Sequence, residues 1–266
     1  MNIKKYYLAA RNTWDETLAY RLNFVMWRVR MVLTLLTMYF LWSALLLPGG
    51  NILGYTREFM LTYILGTSII NSLVISNRSY EVGEEINNGN LSNFLLRPIN
   101  YFLYQFSRDL GDKAMNIVFS FVELTILFII LAPPIFIQTD SSLLALTFFS
   151  CLLALTMYFF LNFLLGLIGF WSPDVWAPRF VFITVLTFFS GGLFPLDILP
   201  KPIFSILEFF PFPYLLFFPL KIYLGQLVMA EIIKGIMISS TWIFVLWFIV
   251  KFAWARGLRL YTAYGR

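Results

Sequence analysis

The sequence predicts an all-α membrane protein with six transmembrane helices, and three observations support this fold class. First, 60% of the 266 residues are hydrophobic and only 12% are charged, whereas soluble domains carry about 25% charged residues. Second, the apolar residues form six separate runs, and about 20 apolar residues suffice to cross a bilayer. Third, one residue in five is aromatic, and Trp and Tyr gather at membrane interfaces.

The predicted transmembrane segments follow the apolar runs with few or no charges. They are residues 24–47, 59–76, 114–132, a fourth within 141–173, 180–194 and 235–250. The fifth segment is short, and the third contains one carboxylate, Glu123.

The distribution of Lys and Arg predicts the orientation of these segments. All but four of the 19 basic residues lie in the N-terminal segment, the second and fourth loops and the C-terminal tail. The exceptions are Arg57, Lys201, Lys221 and Lys234. Because basic residues stay on the cytoplasmic side, we expect a multi-pass protein of the cytoplasmic membrane with both termini cytoplasmic. The net charge of +5 then reflects orientation, and no nucleic-acid partner is expected.

Residues 1–23 are predicted to form an amphipathic interface helix. Apolar residues recur every three or four positions, which is typical of one helical face. They are Ile3, Tyr7, Ala10, Trp14, Leu18, Leu22 and Val25, the last two leading into the first span. The helix would lie on the inner leaflet, although a soluble helix packed on other protein remains an alternative.

The second loop, residues 77–100, is the longest polar stretch and is cytoplasmic by the charge distribution. It carries Glu81, Glu84 and Glu85, a turn at 88–90, and then an apolar cluster closed by Pro98. The cluster consists of Leu91, Phe94, Leu95 and Leu96. Such residues either pack on the chain's own helix ends or dock into a groove on a soluble partner.

The proline-rich segment, residues 195–234, is too apolar to be a free loop and too broken to be one spanning helix. It contains Pro195, Pro200, Pro202, Pro211, Pro213 and Pro219, and proline interrupts helices. Gly191 and Gly192 precede it and permit a chain reversal. We therefore predict a re-entrant helical hairpin after span five that dips into the outer leaflet, with Phe194 apolar and Asp197 at the headgroup or aqueous boundary.

Several catalytic classes lack their residues in this chain. The absence of histidine removes Ser-His-Asp catalysis and most metal sites. No lysine is followed by Ser or Thr, so the phosphate-binding loop GxxxxGK[ST] is absent. We expect no enzyme activity and no bound cofactor or metal, and an energised pump would need its ATPase on another chain.

Glu123 is the strongest intramembrane candidate, because an ionisable group near mid-bilayer is costly. It could line a cavity, bind a cationic group, or act only as a hydrogen-bonding link between helices. Asn116 and Asn162 are weaker candidates of the same kind. One buried acid and no clear repeat are meagre for an ion-coupled carrier, and no selectivity-filter motif is evident. A carrier or channel acting alone nevertheless remains the alternative function, and a lipid-modifying enzyme is a third.

Four stretches resemble recurring segments of the membrane subunit of ABC-2 type exporters, in particular a bacterial subgroup formerly known as a domain of unknown function. These are "AYRLNFVMWRVR" leading into "YFLWSAL", then "GNLSNFLLRPIN", "SGGLFPLDILP" and "PFPYLLFFP". The resemblance implies a permease subunit that moves a hydrophobic or amphipathic substrate, such as a drug, lipid-like molecule or peptide, out of the cell. Many relatives have a more polar "PLTY"-like turn where this chain has "PFPYL", which slightly favours a hydrophobic cargo.

The same resemblance implies roles for particular residues and partners. Residues from Glu84 to Pro98 would form the coupling helix in a cleft of a separate ATPase subunit, which binds ATP and Mg²⁺. The ATPase-coupling residues would be Glu84, Glu85, Leu91, Phe94, Leu95, Leu96, Arg97 and Pro98. The outer gate would include Gly191, Gly192, Phe194, Pro195 and Pro200, and the substrate pathway Glu123, Asn116 and Asn162. Two permeases, identical or paralogous, would enclose that pathway.

Overall fold

The computed structural model describes residues 3–46, 50–52, 54–76 and 81–261, and 80% of these described residues are helical. Leu47, the predicted end of the first span, and residues 77–80 of the second loop lie outside the described residues. The α-helices are α1 (Ile3–Ala19), α2 (Arg21–Leu45), α3 (Arg57–Ile70), α4 (Glu81–Asn87), α5 (Leu91–Leu95), α6 (Tyr101–Leu131), α7 (Ser141–Leu167), α8 (Trp176–Phe189), α9 (Lys201–Leu207), α10 (Phe217–Tyr223) and α11 (Met229–Leu260).

Short elements complete the described chain. A π-helix, Asn71–Ile75, continues α3, and 3₁₀ turns cover Ile168–Phe170, Leu196–Ile198 and Phe212–Tyr214. Two short strands, β1 (Asn51–Ile52) and β2 (Tyr55–Thr56), pair antiparallel with Asn51 opposite Thr56.

Polar side chains cap the N-termini of three long helices. Thr56 accepts a hydrogen bond from the Phe59 amide at the start of α3. Asn100 accepts from the Leu103 amide at α6, and Asp140 accepts from the Ser142 amide at α7. These caps satisfy amides that have no partner within the helix.

Five helices of the described chain are long and apolar enough to cross a membrane. They are Arg21–Leu45, Arg57–Ile75, Tyr101–Leu131, Ser141–Phe170 and Met229–Leu260. The predicted fifth span corresponds to α8, which has 14 residues. At 1.5 Å per residue it measures about 21 Å, less than the hydrocarbon thickness of about 30 Å. The all-α class is confirmed, with five helices of spanning length and a sixth, shorter apolar helix.

The burial of the spans separates a central group from a peripheral group. In α7 and in α3 with its π-helix, 56% of the most apolar window is buried, against 17% in α2 and α11. α7 packs against α10 and α11, and α3 packs against α2. The peripheral helices therefore present much of their apolar surface outward, where lipid or another subunit would cover it.

Helices α1 and α2 run alongside α6 in the same direction. Lys5 lies beside Pro98, Trp14 bonds to Gly111, and Arg28 pairs with Glu123. Ala9, Thr13 and Thr17 of α1 are buried, whereas Tyr7, Trp14 and Leu18 of its predicted apolar face are exposed. The exposed face is consistent with lipid contact, and the position of α1 on the inner leaflet stays a prediction.

The centre of the proline-rich segment is protein interior. From Pro211 to Ile222 every residue except Phe212 is buried, largely by α10 packing on α7. The apolar sequence of this part is therefore explained by contacts within the chain and needs no exposure to the outer leaflet. The re-entrant topology itself stays a prediction.

Candidate functional site

The first candidate site is the α4–α5 segment, residues 81–98. Gly89 adopts a φ of +75° in the turn between the two helices, a conformation that glycine reaches without steric cost. Helix α4 is buried through Val82, Gly83 and Ile86. Ile86 and Leu91 belong to an apolar cluster with residues of α6, α7 and α11.

The predicted apolar cluster of this segment divides into a buried and an exposed half. Leu91 is fully buried, and Phe94 packs on the rings of Tyr101 and Tyr104 at 5.5 and 5.1 Å. Leu95 and Leu96, by contrast, are 46% and 85% exposed. Packing on the chain's own helices therefore accounts for Leu91 and Phe94, which share one helical face. Leu95 and Leu96, at the end of α5, are left exposed, and their docking into a partner stays a prediction.

The polar ends of the cluster are also exposed. Glu84, Arg97 and Pro98 all lie on the surface. The Arg97 guanidinium lies 5.7 Å from the centre of the Phe94 ring. A compact exposed patch therefore consists of Leu95, Leu96, Arg97 and Pro98.

The Glu85 side chain is bound within the chain, in a network of ion pairs and hydrogen bonds centred on Arg108. The Arg108 guanidinium contacts carboxylates of Glu16 and Glu81 at 2.7 Å and of Glu85 at 3.7 Å. Glu85 also accepts hydrogen bonds from the Tyr101 hydroxyl and from Gln105, the latter at 3.0 Å. Burial raises the pKa of the Glu85 carboxyl, while these donors and Arg108 oppose the shift. The network fastens α4 to both α1 and α6.

A second polar cluster lies under the π-helix and was not predicted from the sequence. Lys113 is 1% exposed, lies 3.2 Å from Asp109, and donates to the carbonyls of Val74, at 2.9 Å, and Ser76. A π-helix leaves carbonyls unpaired at its end, and this ammonium satisfies two of them. An Asp–Lys pair four residues apart in α6 was the available sequence signal.

The predicted pathway residues fall into two places. Glu123 accepts from Arg28 Nε at 2.7 Å and from Arg28 Nη2, and Asn116 Oδ1 accepts from Arg28 Nη1 at 3.3 Å. Asn162 is not part of this group; its amide bonds the Tyr158 carbonyl on its own helix. Arg28 was interpreted from the sequence only as an orientation charge, and its role as the partner of Glu123 was missed.

The second candidate site is a polar cluster around Lys221 that joins the proline-rich segment to the rest of the chain. Lys221 donates to Asp197 at 2.7 Å, to Tyr55 at 3.1 Å and to Gln226 at 2.6 Å. The Tyr55 hydroxyl in turn donates to Asp197 at 2.9 Å, and burial together with Asp197 raises the pKa of Tyr55. The Asp197 side chain is 31% exposed and ion-paired with Lys221, and its position at the headgroup or aqueous boundary stays a prediction.

The turn before the proline-rich segment depends on Gly191. Its φ is +85°, and its carbonyl accepts from the Tyr63 hydroxyl at 2.7 Å. An added Cβ would lie 2.5 Å from that hydroxyl oxygen. Gly192 has no positive φ, and a Cβ there would make only ordinary contacts. The reversal therefore requires Gly191 and not Gly192.

The other predicted gate residues differ in burial. Phe194 is partly buried, Pro195 is buried, and Pro200 is exposed just before α9. A cavity of about 280 Å³ opens beside this region, lined by aromatic rings such as Phe217 and Phe218 and by charged groups of Asp197, Glu208 and Lys221. Among the described residues, no three Cys, Asp or Glu side chains are grouped to hold a metal ion.

The comparisons with known proteins agree with the membrane architecture. A family model described as "ABC-2 family transporter protein" matches residues 32–265, which is most of the chain. A search of curated proteins found no match. The matched range includes all five helices of spanning length except the start of α2, and it includes both candidate sites. The chain therefore belongs to the ABC-2 family of transporter proteins.

Proposed function

We propose that this chain is the membrane-spanning permease subunit of an ATP-driven ABC exporter, which moves a hydrophobic or amphipathic substrate outward together with a separate ATPase subunit. Membership of the ABC-2 family supports transport across a bilayer and association with an ABC ATPase. The single observation that carries the coupling role is the exposed pair Leu95 and Leu96 on a firmly anchored short helix.

The exposed pair has the properties of a docking element. Apolar side chains gain about 25 cal/mol for each Å² removed from water, and a short helix can insert them into a groove. Leu91 on the opposite face is buried in the chain, so the helix cannot rotate to hide Leu96. Basic Arg97 beside the pair would set the orientation of the docked helix.

The anchors of this segment determine what a docked ATPase would move. Arg108 joins α4 to α1 and α6, so force applied at Leu96 would reach both helices. ATP would drive transport if the closed ATPase bound one arrangement of these helices more tightly than another. ATP and Mg²⁺ would bind the ATPase subunit and not this chain.

The proline-rich segment would close the outer end of the pathway. Lys221 joins it to β2 through Tyr55, and the Gly191 turn joins it to α3 through Tyr63. The pathway would run between two permeases, identical or paralogous. The exposed apolar face of α8, where only Leu186 is buried, is available to such a subunit or to lipid.

Co-purification with a co-expressed ABC ATPase subunit tests the coupling role. Leu96→Asp should abolish co-purification, because it places a charge in the apolar contact, while membrane insertion stays intact. Asn93→Asp is the matched control, since it adds the same charge at an exposed position of α5, the helix that Leu96 directly follows. Unchanged co-purification of Leu96→Asp would refute the docking role. Solute movement by the reconstituted chain without any ATPase would favour the alternative, an ion-coupled carrier or channel.

A further inference from the structure

Helix α11 contacts the α4–α5 segment at one end and the proline-rich segment at the other. It has 32 residues and contains no proline, so at 1.5 Å per residue it forms a continuous rod of about 48 Å. Its buried positions form one stripe along that length: Ile232, Gly235, Ser239, Leu246, Val250 and Gly257.

The inner end of α11 is joined to the α4–α5 turn by Tyr261, the residue that follows the helix. The Tyr261 hydroxyl donates to the Gly89 carbonyl at 2.7 Å and accepts from the Ser92 amide at 3.1 Å. One side chain thus bonds both sides of the turn between α4 and α5. The rest of α4 rests on the end of α7, where Gly83 and Gly169 approach so closely that a Cβ on Gly169 would lie 2.9 Å from the Gly83 carbonyl.

Ring packing strengthens the same connection. Trp254 of α11 stacks on Tyr101 with ring centres 5.3 Å apart, and Tyr101 bonds Glu85 of α4. Phe170 lies against Gly257 so closely that a Cβ there would come within 2.1 Å of the ring. These ring contacts join α11 to α6 and to the 3₁₀ turn Ile168–Phe170, and α4 packs against that same turn. They therefore support the link made by Tyr261 indirectly, through closely packed neighbours of the α4–α5 segment.

The outer end of α11 begins within the proline-rich segment and also packs on the earlier part of that segment, residues 195–228. The Phe218 ring fills the space over Gly235, where a Cβ would lie 2.2 Å away. Trp242 donates to the Phe209 carbonyl at 3.0 Å, and Lys234 pairs with Glu208 at 3.1 Å. Gly235 and Gly257 lie 22 positions apart, which returns them to nearly the same face of a helix.

We propose that Tyr261 is a positioning residue that couples the α4–α5 segment to α11, and that α11 transmits motion of this segment to the proline-rich segment as a rigid unit. This inference rests on the proposed function and adds the route by which ATP would act at the outer side. It predicts that removing the Tyr261 hydroxyl disconnects the two ends without unfolding either.

A reporter cysteine on α9 tests the route in the intact permease–ATPase complex in nanodiscs. Lys201 is exposed at the start of α9, and Cys151 is buried, so Lys201→Cys is introduced in a Cys151→Ala background. The rate of maleimide labelling is measured with and without ATP and vanadate. Tyr261→Phe removes both hydrogen bonds of the hydroxyl and should reduce the ATP-dependent change in rate by at least about fivefold, since one net hydrogen bond is worth about 1 kcal/mol. The rate without nucleotide should stay unchanged.

Two further variants separate this route from a general loss of structure. Tyr6→Phe is the matched control, because the Tyr6 hydroxyl accepts from the Asn100 amide and therefore bonds the chain near the same segment without involving α11. It should keep the full ATP response. Phe218→Leu, at the outer end, should lose the labelling response while the permease still binds the ATPase.

The outcomes distinguish the inference from the proposed function. A full ATP response in Tyr261→Phe, or a loss in Tyr6→Phe alone, would overturn the route through α11 and leave the ATPase coupling standing. A parent protein that binds the ATPase but shows no ATP response at Lys201→Cys would overturn both.

Discussion

Removal of the Glu123 charge should destabilise the protein, because it leaves Arg28 buried without its counter-ion. Arg28 is 5% exposed and binds Glu123 through two N–H groups. Breaking a buried ion pair by removing one partner costs about 3–5 kcal/mol. The amide of Glu123→Gln can still accept one hydrogen bond, and the Glu123 side chain is 19% exposed, so the lower limit of about 3 kcal/mol is expected.

The assay is thermal unfolding of the detergent-purified protein, followed by the loss of the monodisperse form. With about 2–4 °C of midpoint shift per kcal/mol for chains of this size, Glu123→Gln should lower the midpoint by roughly 6–12 °C. The double variant Arg28→Met/Glu123→Leu should recover most of that loss, since apolar replacement of a buried pair is often neutral.

The matched control is Arg30→Met, which removes an exposed arginine of the same helix and should shift the midpoint little. A Glu123→Gln variant as stable as Arg30→Met would refute the structural account of the pair. If the variant were destabilised but transported all substrates normally at low temperature, Glu123 would leave the pathway and remain an interhelical link.

Three other predictions follow from individual contacts. Gly191→Ala should destabilise the protein by about 2–4 kcal/mol, because the positive φ and the Tyr63 hydroxyl leave no room for a Cβ, whereas Gly192→Ala should have the thermal midpoint of the parent. Lys221→Met should cost a similar amount, about 2–4 kcal/mol, because Asp197 loses its counter-ion and Gln226 its donor; the exposed Lys201→Met is its control, and equal midpoints would contradict the result. The raised pKa of Glu85 means that the folded state retains a proton that the unfolded chain releases, so this group's contribution to stability falls as pH rises from about 4.5 through the raised value. Glu85→Gln should remove that part of the pH dependence of the thermal midpoint and the exposed Glu84→Gln should not; identical pH profiles for the two variants would contradict the assignment.

The sequence predicted the transmembrane helices well because their signal is local. Long apolar runs with few charges follow directly from the low polarity of lipid, and each of the five helices of spanning length covers most of one predicted segment. The fifth predicted span was placed at 180–194, but α8 ends at Phe189, because Gly191 turns the chain toward Tyr63. That turn depends on a residue 128 positions away in the sequence, and hydropathy does not report such a contact.

The candidate sites could be predicted only in part, because many of their contacts also join residues that are distant in the sequence. Local residue types indicate the exposed apolar residues of the α4–α5 segment. They also indicate the glycine turn before the proline-rich segment. The counter-ion of Glu123, the network around Arg108 and the partners of Lys221 each join residues distant in the chain. A helix-period analysis could have separated Leu91 and Phe94 from Leu96, but no single-sequence signal paired Arg28 with Glu123.

The sidedness of the two candidate sites is the most direct test of the account. Single cysteines at Leu96 and Lys201, in the Cys151→Ala background, would be exposed to a membrane-impermeant maleimide in intact and in permeabilised cells. The account predicts that Lys201→Cys is labelled in intact cells and that Leu96→Cys is labelled only after permeabilisation. Labelling of Lys201→Cys only after permeabilisation would contradict the orientation, and with it the assignment of one site to the ATPase and the other to the outer mouth.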